Sequence, residues 1–323
     1  QEVVLASDEP SLPTGLISSD TPDLPGGLDL LDEENDNISD DLIDKKTYEF
    51  YGFWDNRLGY RVKDTQYHGA RSVAESRLHL AFDKGFDTYF DTYFDTYFDT
   101  VELQSSIDIL YDDLANTHKI DLESGNGWLD IRQLNLFFKP LESVDIRLGR
   151  QILTWGTGDF LFLNDLFPKD WSYFLGRDME YVKAPSDALK VSFFSDIANI
   201  DIVYVPRFDS DRYISGERLS FYHDIEKEIV GLDNILDVDK PDDWFSNDEF
   251  HLRISQNFDR NEVALYAYDG YFKSPAGYET SNYQFTFPRL GVYGLSLRRP
   301  LGVGIFNTEV AYWHSKDDAN GDN

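Results

Sequence analysis

The chain has 323 residues, with 60 acidic and 29 basic side chains, a formal charge of −31 and no cysteine. The absence of cysteine excludes a disulfide framework and thiol chemistry. So acidic a chain also lacks the basic face that binding to nucleic acid requires. No run approaches the eighteen or so apolar residues of a transmembrane helix, which excludes a helical membrane protein. Aromatic residues form 15% of the chain, which suits a membrane β-barrel and an acidic soluble β protein equally.

Residues 1–46 differ in composition from the rest of the chain. They are rich in Asp, Glu, Ser, Pro and Gly, with the run DEENDNISDD at 32–41. Such a composition favours a solvated, disordered leader. Two further interpretations stay open, namely a segment built on Leu28, Leu30 and Leu31 that docks on a partner, and a plug inside a pore. We therefore divide the chain into a leader, 1–46, and a β region, 47–323.

From Thr47 onward, apolar and polar residues alternate with the period of two that is typical of half-buried strands. In one example, Val101, Leu103 and Ile107 oppose Glu102 and Asp108. The phase of the alternation changes near Gln133, which predicts a β-bulge there. Eleven strands are predicted, at 47–60, 71–83, 100–112, 128–139, 143–155, 188–195, 199–206, 248–258, 262–273, 285–299 and 302–315.

The connections between these strands alternate in length, with one exception, the turn that carries a repeat at 86–100. Short turns such as 139–143 and 258–262 follow every second strand, and long stretches such as 156–187 and 207–247 follow the others. Outer-membrane β-barrels have this pattern, with short turns in the periplasm and long loops outside. It predicts an all-β, transmembrane, antiparallel up-and-down barrel in a Gram-negative outer membrane, with a periplasmic N-terminus. Because an open barrel would leave backbone groups unpaired in lipid, we expect either further strands beyond residue 323 or another chain that completes the wall. A single-chain barrel would then have at least twelve strands, and fourteen to sixteen are expected.

One predicted turn carries the repeat FDTYFDTYFDTYFDT at 86–100. Its period of four is a multiple of the strand period of two, so a strand register would be kept through it. The simpler interpretation is a tandem duplication tolerated at a hairpin end. The functional alternative is a projecting, aromatic hairpin that contacts a periplasmic or membrane partner.

The sequence carries no recognisable catalytic motif. It contains no G-x-S-x-G, no H-E-x-x-H and no P-loop, so we predict a protein that is not an enzyme and needs no cofactor. Asp209 and Asp211 belong to an acidic stretch that could hold Ca²⁺ loosely through carboxylate oxygens. Their spacing is not that of an EF-hand, so a solvated loop without metal is the preferred interpretation.

The polar strand faces carry both signs of charge, which in a barrel would line the lumen. The loop 156–187 is aromatic, apolar and acidic, and we predict that it folds into or across the mouth and narrows it. Packing at the membrane interface is the alternative for its aromatic residues. Candidate lining residues are Arg77, Glu102, Asp108, Arg132, Asp145, Arg147, Arg150, Asp165, Asp170 and Arg253. Candidate loop anchors are Trp155, Phe160, Phe162, Phe167 and Trp171.

A series of short motifs lies in one part of the chain, roughly 148–208. They are Leu148-Gly149-Arg150-Gln151, Trp155-Gly156, Asn164-Asp165, Pro168, Asp170 and Tyr204-Val205-Pro206-Arg207-Phe208. This series resembles a known group of Gram-negative outer-membrane porin-like barrels, namely the alginate-export-like proteins and related barrels associated with efflux-type transporters. The resemblance implies a β-barrel that passes or exports a solute, without identifying the solute. The leader and the FDTY repeat lie outside it.

The leading hypothesis is therefore an outer-membrane channel or export porin that passes a solute passively through a lumen narrowed by the loop 156–187. Its surroundings would be outer-membrane lipid. The alternative is a barrel scaffold in an envelope assembly that binds a protein partner through residues 1–46 or 86–100. An outer-membrane enzyme and a soluble acidic β protein are the remaining possibilities.

Overall fold

The computed structural model describes residues 48–63, 66–86, 100–114, 119–156, 161–172 and 177–317. A short 3-10 helix, Met179–Val182, lies among the strands of the chain. The strands in these ranges are β1 (Tyr48–Tyr60), β2 (Arg71–Phe86), β3 (Thr100–Asp112), β4 (Leu129–Leu141), β5 (Val144–Ile152), β6 (Pro185–Phe193), β7 (Asn199–Val205), β8 (Phe221–His223), β9 (Glu228–Val230), β10 (Val238–Asp239), β11 (Glu249–Phe258), β12 (Asn261–Tyr271), β13 (Gly277–Glu279), β14 (Gln284–Thr286), β15 (Arg289–Leu301) and β16 (Gly304–Ser315).

Eleven of these strands form a single sheet in the order β1-β2-β3-β4-β5-β6-β7-β11-β12-β15-β16. Each neighbouring pair is antiparallel, and each strand of the sheet pairs with the next such strand along the chain. The predicted all-β, up-and-down architecture of about eleven strands is therefore confirmed. Strand alternation predicted the bounds of these elements to within a few residues.

Short turns lie at one end of the sheet and long connections at the other. Two residues join β11 to β12 and two join β15 to β16, whereas 43 residues, 206–248, separate β7 from β11. The long connections contain two small sheets, β8-β9 and β10-β14-β13. Their strands were not predicted, because two or three residues are too few to show an alternation. We call the two ends of the sheet the short-turn end and the long-loop end.

The two faces of the sheet differ sharply in chemistry. One, here called the polar face, carries charged residues on successive strands, including Arg77, Asp108, Asp130, Arg147 and Arg253, which lie on β2 to β5 and on β11. The opposite face, here called the apolar face, carries large apolar side chains that are exposed. These include Trp54, Leu78, Ile109, Leu136, Leu148, Leu265, Tyr293 and Val310.

Two local irregularities shape the wall near the middle of the sheet. Ser106 pairs with Gln133, but the next residue, Ile107, pairs with Ile131, so Arg132 is an extra residue in β4. The predicted bulge is therefore present, one residue before Gln133. In β5, Gly149 has φ +120°, a conformation that L side chains rarely adopt, and a Cβ there would lie 2.5 Å from the carbonyl oxygen of Leu134.

Three parts of the predicted organisation lie outside the described residues: the leader 1–46, the FDTY repeat from 87 to 99, and the candidate anchor Phe160. Their roles stay predictions. Among the described residues, no helix is long and apolar enough to cross a membrane.

Candidate functional site

The described residues of the connection from β5 to β6, 153–156, 161–172 and 177–184, lie against the polar face, and we call them the covering loop. Its two arms pair with each other, because Asp170 N donates to Val182 O at 2.7 Å and Ala184 N to Pro168 O at 3.0 Å. The segment that follows β7 adds a third arm, in which Arg212 N donates to Lys169 O at 2.8 Å. These backbone hydrogen bonds give the covering loop a defined course.

One end of the covering loop is held by aromatic packing. The Phe167 ring stacks on His251 of β11 with 4.4 Å between centroids. Trp155 packs edge-on against Phe167 at 5.0 Å, and Leu153 and Val203 belong to the same buried cluster. Phe167 is only 1% exposed, so its burial removes nearly the whole ring from water.

The same part of the covering loop also contacts the last two strands of the sheet, β15 and β16. Asn164 Nδ2 donates to Leu295 O of β15 at 3.4 Å. Trp313 Nε1 of β16 donates to Leu163 O at 3.3 Å. The covering loop also contacts β2, β3 and β4, as described next. Its contacts with the polar face therefore extend from β2 to β16.

The other end of the covering loop is held by ion pairs. Arg177 binds Glu75 of β2, with 2.7 Å between Nη2 and Oε2. The Tyr181 hydroxyl donates to Asp108 of β3 at 3.3 Å. Arg77, which binds Asp108 at 2.7 Å, also places its guanidinium 4.2 Å from the centroid of the Tyr181 ring. Burial raises the pKa of Tyr181, and Asp108 raises it further, so this hydroxyl stays protonated and able to donate.

Arg212 joins the wall, the covering loop and the segment after β7. Its two terminal nitrogens bind the two carboxylate oxygens of Asp130 at 2.8 and 2.9 Å, and Nη1 lies 3.4 Å from Asp170. Burial lowers the pKa of Arg212, but Asp130 and then Asp170 outweigh it and the net shift is upward. The guanidinium rests against Gly125, where φ is +69° and a side chain would collide with it. Arg212 is therefore a buried, permanently charged centre of this network.

A second buried pair lies closer to β11 and β12. Lys273 Nζ contacts both oxygens of Glu249, at 2.6 and 2.8 Å. The Tyr268 hydroxyl donates to the same carboxylate at 2.5 Å. Lys273 also donates to the backbone oxygen of Asp209 at 2.9 Å. This pair therefore connects the segment after β7 to the wall.

Asp209 and Asp211, the pair considered for Ca²⁺, both accept hydrogen bonds from the protein. Ser186 Oγ donates to Asp209 at 2.7 Å. Asp211 accepts from Trp171 Nε1 at 2.9 Å and from Lys169 N at 2.8 Å. Within the described residues, no group of three or more acidic or histidine side chains could hold a metal ion.

The buried carboxyl of Asp209 gives a testable pH dependence. Burial raises its pKa, although the hydrogen bond from Ser186 and the charge of Lys273 act in the opposite direction. The pKa of this carboxyl is therefore higher in the folded protein than in the unfolded chain, where it is about 4. Its contribution to the free energy of unfolding is complete below the unfolded pKa and is lost as the pH rises through the folded pKa. We expect Asp209→Asn to remove that loss, so the variant should gain stability relative to the wild type between pH 3 and pH 7.

Urea unfolding at the two pH values would measure this difference, with the exposed Asp224→Asn as the control. An Asp209→Asn difference that is the same at both pH values would contradict the expectation.

The predicted lining residues form two groups at different positions on the polar face, and one residue, Arg150, belongs to neither. Arg77, Asp108, Arg132, Asp165 and Asp170 meet at the covering loop, where Arg132 Nη2 donates to Lys183 O at 2.8 Å and Asp165 lies 3.1 Å from Lys169 Nζ. Glu102, Asp145, Arg147 and Arg253 lie nearer the short-turn end of the polar face.

This second group is linked by weaker and more exposed contacts. Asp145 lies 3.8 Å from Lys139, and the Arg147 guanidinium lies 5.8 Å from the centroid of the Phe137 ring. Arg253 binds Glu262 at 2.6 Å and Asp201 at 3.4 Å. The short-turn half of the polar face thus keeps both signs of charge, as the sequence indicated.

Arg150 is the exception. In the alternation along β5, Arg150 falls on the opposite face from Arg147 and Gly149. It pairs with Leu134 and Asp187 in the sheet. Its guanidinium donates to the carbonyl of Ile131 at 2.6 Å and binds Asp187 at 3.2 Å. The structure therefore places it among strand and loop carbonyls rather than beside Arg147.

The predicted anchors also divide. Trp155 and Phe167 contact the wall, through His251 and Tyr266. Phe162 and Trp171 contact each other, with 6.1 Å between ring centroids, and Phe162 packs on Tyr181 and Val182. Phe162 therefore packs within the covering loop, whereas Trp171 also joins it to the segment after β7, through Asp211.

Alternation along the strands already assigned Glu75, Asp130 and His251 to the polar face, although not to this site. The residues of the site that were not predicted are Arg177, Tyr181, Arg212, Glu249 and Lys273. Their partners are far away in sequence; Arg177 and Glu75, for example, are 102 positions apart. The alternation of side chains along each strand is enough to assign Glu75, Asp130, Glu249 and His251 to the polar face. Nothing in the sequence pairs Arg177 or Arg212 with them.

Comparison with known proteins gives little. No family model matches the chain, and no curated protein does. Among solved structures, the chain is similar to OmpT, an outer membrane protein of Vibrio cholerae, folded in vitro and in its trimer form. The two are 15% identical, with a TM-score of 0.39, over 84% of this chain and 67% of that one. Both figures are low, and the resemblance to alginate-export-like barrels stays a prediction.

Proposed function

We propose that this chain forms wall strands of a Gram-negative outer-membrane β-barrel that passes a solute passively through a lumen narrowed by the covering loop. The observation that carries the proposal is the contrast between the two faces of the sheet. The apolar face is exposed on most of its strands, with Trp54, Leu265 and Tyr293 at 72%, 53% and 67%. The polar face is charged and is covered by a loop of its own chain.

A soluble protein rarely exposes so wide an apolar surface, whereas a membrane barrel directs its apolar residues to lipid and its polar residues to the lumen. The same arrangement assigns the polar face to the inside. The covering loop would then lie within the lumen at the long-loop end. The short-turn half, with Glu102, Asp145, Arg147 and Arg253, would be the part that solute meets beyond it.

The orientation follows from the connections. Short turns in such barrels face the periplasm and long loops face outward. Since β1 begins at the short-turn end, the N-terminal leader would lie in the periplasm.

Conduction across planar lipid bilayers would test the function. We expect discrete current steps from the full chain, and larger steps from the double variant Arg177→Ala/Tyr181→Ala, because these substitutions release the ionic end of the covering loop from Glu75 and Asp108. Arg260→Ala, in an exposed short turn, is the matched control and should conduct as the wild type does. A correctly folded, inserted protein that carries no current, in wild type and double variant alike, would refute the channel.

A further inference from the structure

A row of side chains on the polar face, here called the charged row, runs from β3 to β6 and ends beside the covering loop. Its members pair in succession across the four strands and are Glu102, Phe137, Arg147 and Lys190. On β7 the same line of pairs reaches Val203, which is buried in the cluster with Phe167. All four members are partly exposed, so the charged row is open to a solute beside the covering loop.

Two opposite charges in the charged row are not paired within the protein. The side chains of Glu102 and Arg147 form no ion pair or hydrogen bond with any other residue that the structure describes. They lie on either side of Phe137, two strand spacings or about 10 Å apart at Cα. The Arg147 guanidinium lies 5.8 Å from the centroid of the Phe137 ring. A carboxylate and a guanidinium therefore flank one aromatic ring, and each can still bind a charged group.

The neighbouring charges do not neutralise these two groups. Asp145, the acidic residue closest to Arg147 in sequence, lies 3.8 Å from Lys139. Lys190, which pairs with Arg147 across β5 and β6, lies 3.6 Å from Asp201. Like charges directly opposite each other on adjacent strands repel, so an added carboxylate would relieve the contact between Arg147 and Lys190.

We propose that the charged row binds a zwitterionic α-amino acid, with its carboxylate at Arg147 and its ammonium at Glu102. The inference names the solute class of the proposed channel and therefore rests on the proposed function. An arginine fork matches the geometry of a carboxylate, and a carboxylate beside an aromatic face attracts an ammonium group. The ring of Phe137 would contact an apolar side chain of the solute.

The order of the charges favours a zwitterion over a solute of one sign. An anion would gain Arg147 and Lys190 but would be repelled by Glu102. A cation would gain Glu102 but would be repelled by the two bases. A small molecule that carries both groups meets an opposite charge at each end, and mismatched charges are what a binding site rejects most strongly.

The experiment titrates the refolded full chain, in neutral detergent micelles, with L-leucine and follows binding by calorimetry. N-acetyl-L-leucine lacks the ammonium and L-leucinamide lacks the carboxylate, so each analogue removes one of the two proposed contacts. We expect L-leucine to bind about tenfold more tightly than either analogue. Equal affinity for the three compounds would overturn the inference.

Two variants should act on opposite ends of the ligand. Glu102→Gln should reduce the preference for L-leucine over N-acetyl-L-leucine from about tenfold to about twofold or less, and keep the preference over L-leucinamide. Arg147→Gln should do the reverse. Arg298→Gln removes the same charge from the polar face of β15, away from the charged row, and should bind all three compounds as the wild type does.

Heat-modified electrophoretic mobility checks that each variant is folded, and Arg147→Met replaces Arg147→Gln if the latter fails that check. Preferences that neither variant alters, or that both variants lose together, would overturn the assignment of the two ends. Conduction in planar bilayers is measured separately. A channel that conducts but binds the three compounds equally would overturn the amino-acid site and leave the proposed function standing. Charge-dependent binding without current would support the site and refute the channel.

Discussion

Arg212→Ala is expected to destabilise the protein by about 3–5 kcal/mol, since removal of one partner leaves buried charges uncompensated. Both oxygens of Asp130 depend on this guanidinium, at 2.8 and 2.9 Å, and Asp170 lies 3.4 Å from it. Arg212 is 6% exposed and both carboxylates are more deeply buried, so water cannot replace the lost hydrogen bonds without opening the site. Urea unfolding of protein refolded in lipid vesicles would measure the loss.

Two further variants sharpen this result. Arg260→Ala removes the same side chain from an exposed turn and should change stability by no more than about 0.5 kcal/mol. Asp130→Asn, combined with Arg212→Ala, removes one of the uncompensated charges and should recover part of the loss. If Arg212→Ala unfolded within about 1 kcal/mol of the wild type, the network around it would not be a buried ionic centre.

Phe167→Ala is expected to release the aromatic end of the covering loop at a cost of about 3–5 kcal/mol. The ring stacks on His251 of β11 with 4.4 Å between centroids and packs against Trp155. Trp155 itself lies edge-on to His251 at 6.0 Å, so the substitution removes the closer of the two ring contacts to β11. The loss should appear twice, as a lower free energy of unfolding and as faster protease cleavage between residues 161 and 172. Cleavage would report on the covering loop itself and unfolding on the whole sheet.

Phe245→Ala is the matched control, because that ring is 70% exposed on a long connection. It should leave both measurements near the wild-type values. Unchanged cleavage in Phe167→Ala would show that the ionic end, with Arg177 and Tyr181, holds the covering loop without the aromatic contact.

The wall was predictable from sequence and the site only in part. Alternation with a period of two identifies each long strand locally, and the phase change at Arg132 is visible in the residues themselves. The alternation alone predicts that lining residues such as Arg77, Asp108 and Arg147 lie on the polar face. Arg150 shows where this rule fails, because the positive φ of Gly149 beside it alters the course of the strand.

Partners across the polar face could not be predicted, for a physical reason. The pairs Arg212 with Asp130 and Trp155 with Tyr266 join residues that are 82 and 111 positions apart, and charge or aromatic character alone does not say which distant group each will meet. The covering loop was predicted as a constriction from its composition. Its division into an aromatic end and an ionic end depends on which strands lie opposite, and that appears only in the folded chain.

This separation in sequence also constrains the order of assembly. Within the main sheet, ten strand pairings join strands that follow one another along the chain. Four of them cross turns of two to five residues, so those hairpins close at a small entropic cost. The partners of Arg177 and Tyr181 lie on β2 and β3, and those of Asn164 and Leu163 lie on β15 and β16. The covering loop cannot make both sets of contacts until strands from opposite edges of the sheet exist. We infer that the wall forms first and is unobstructed, and that the loop docks inside it last.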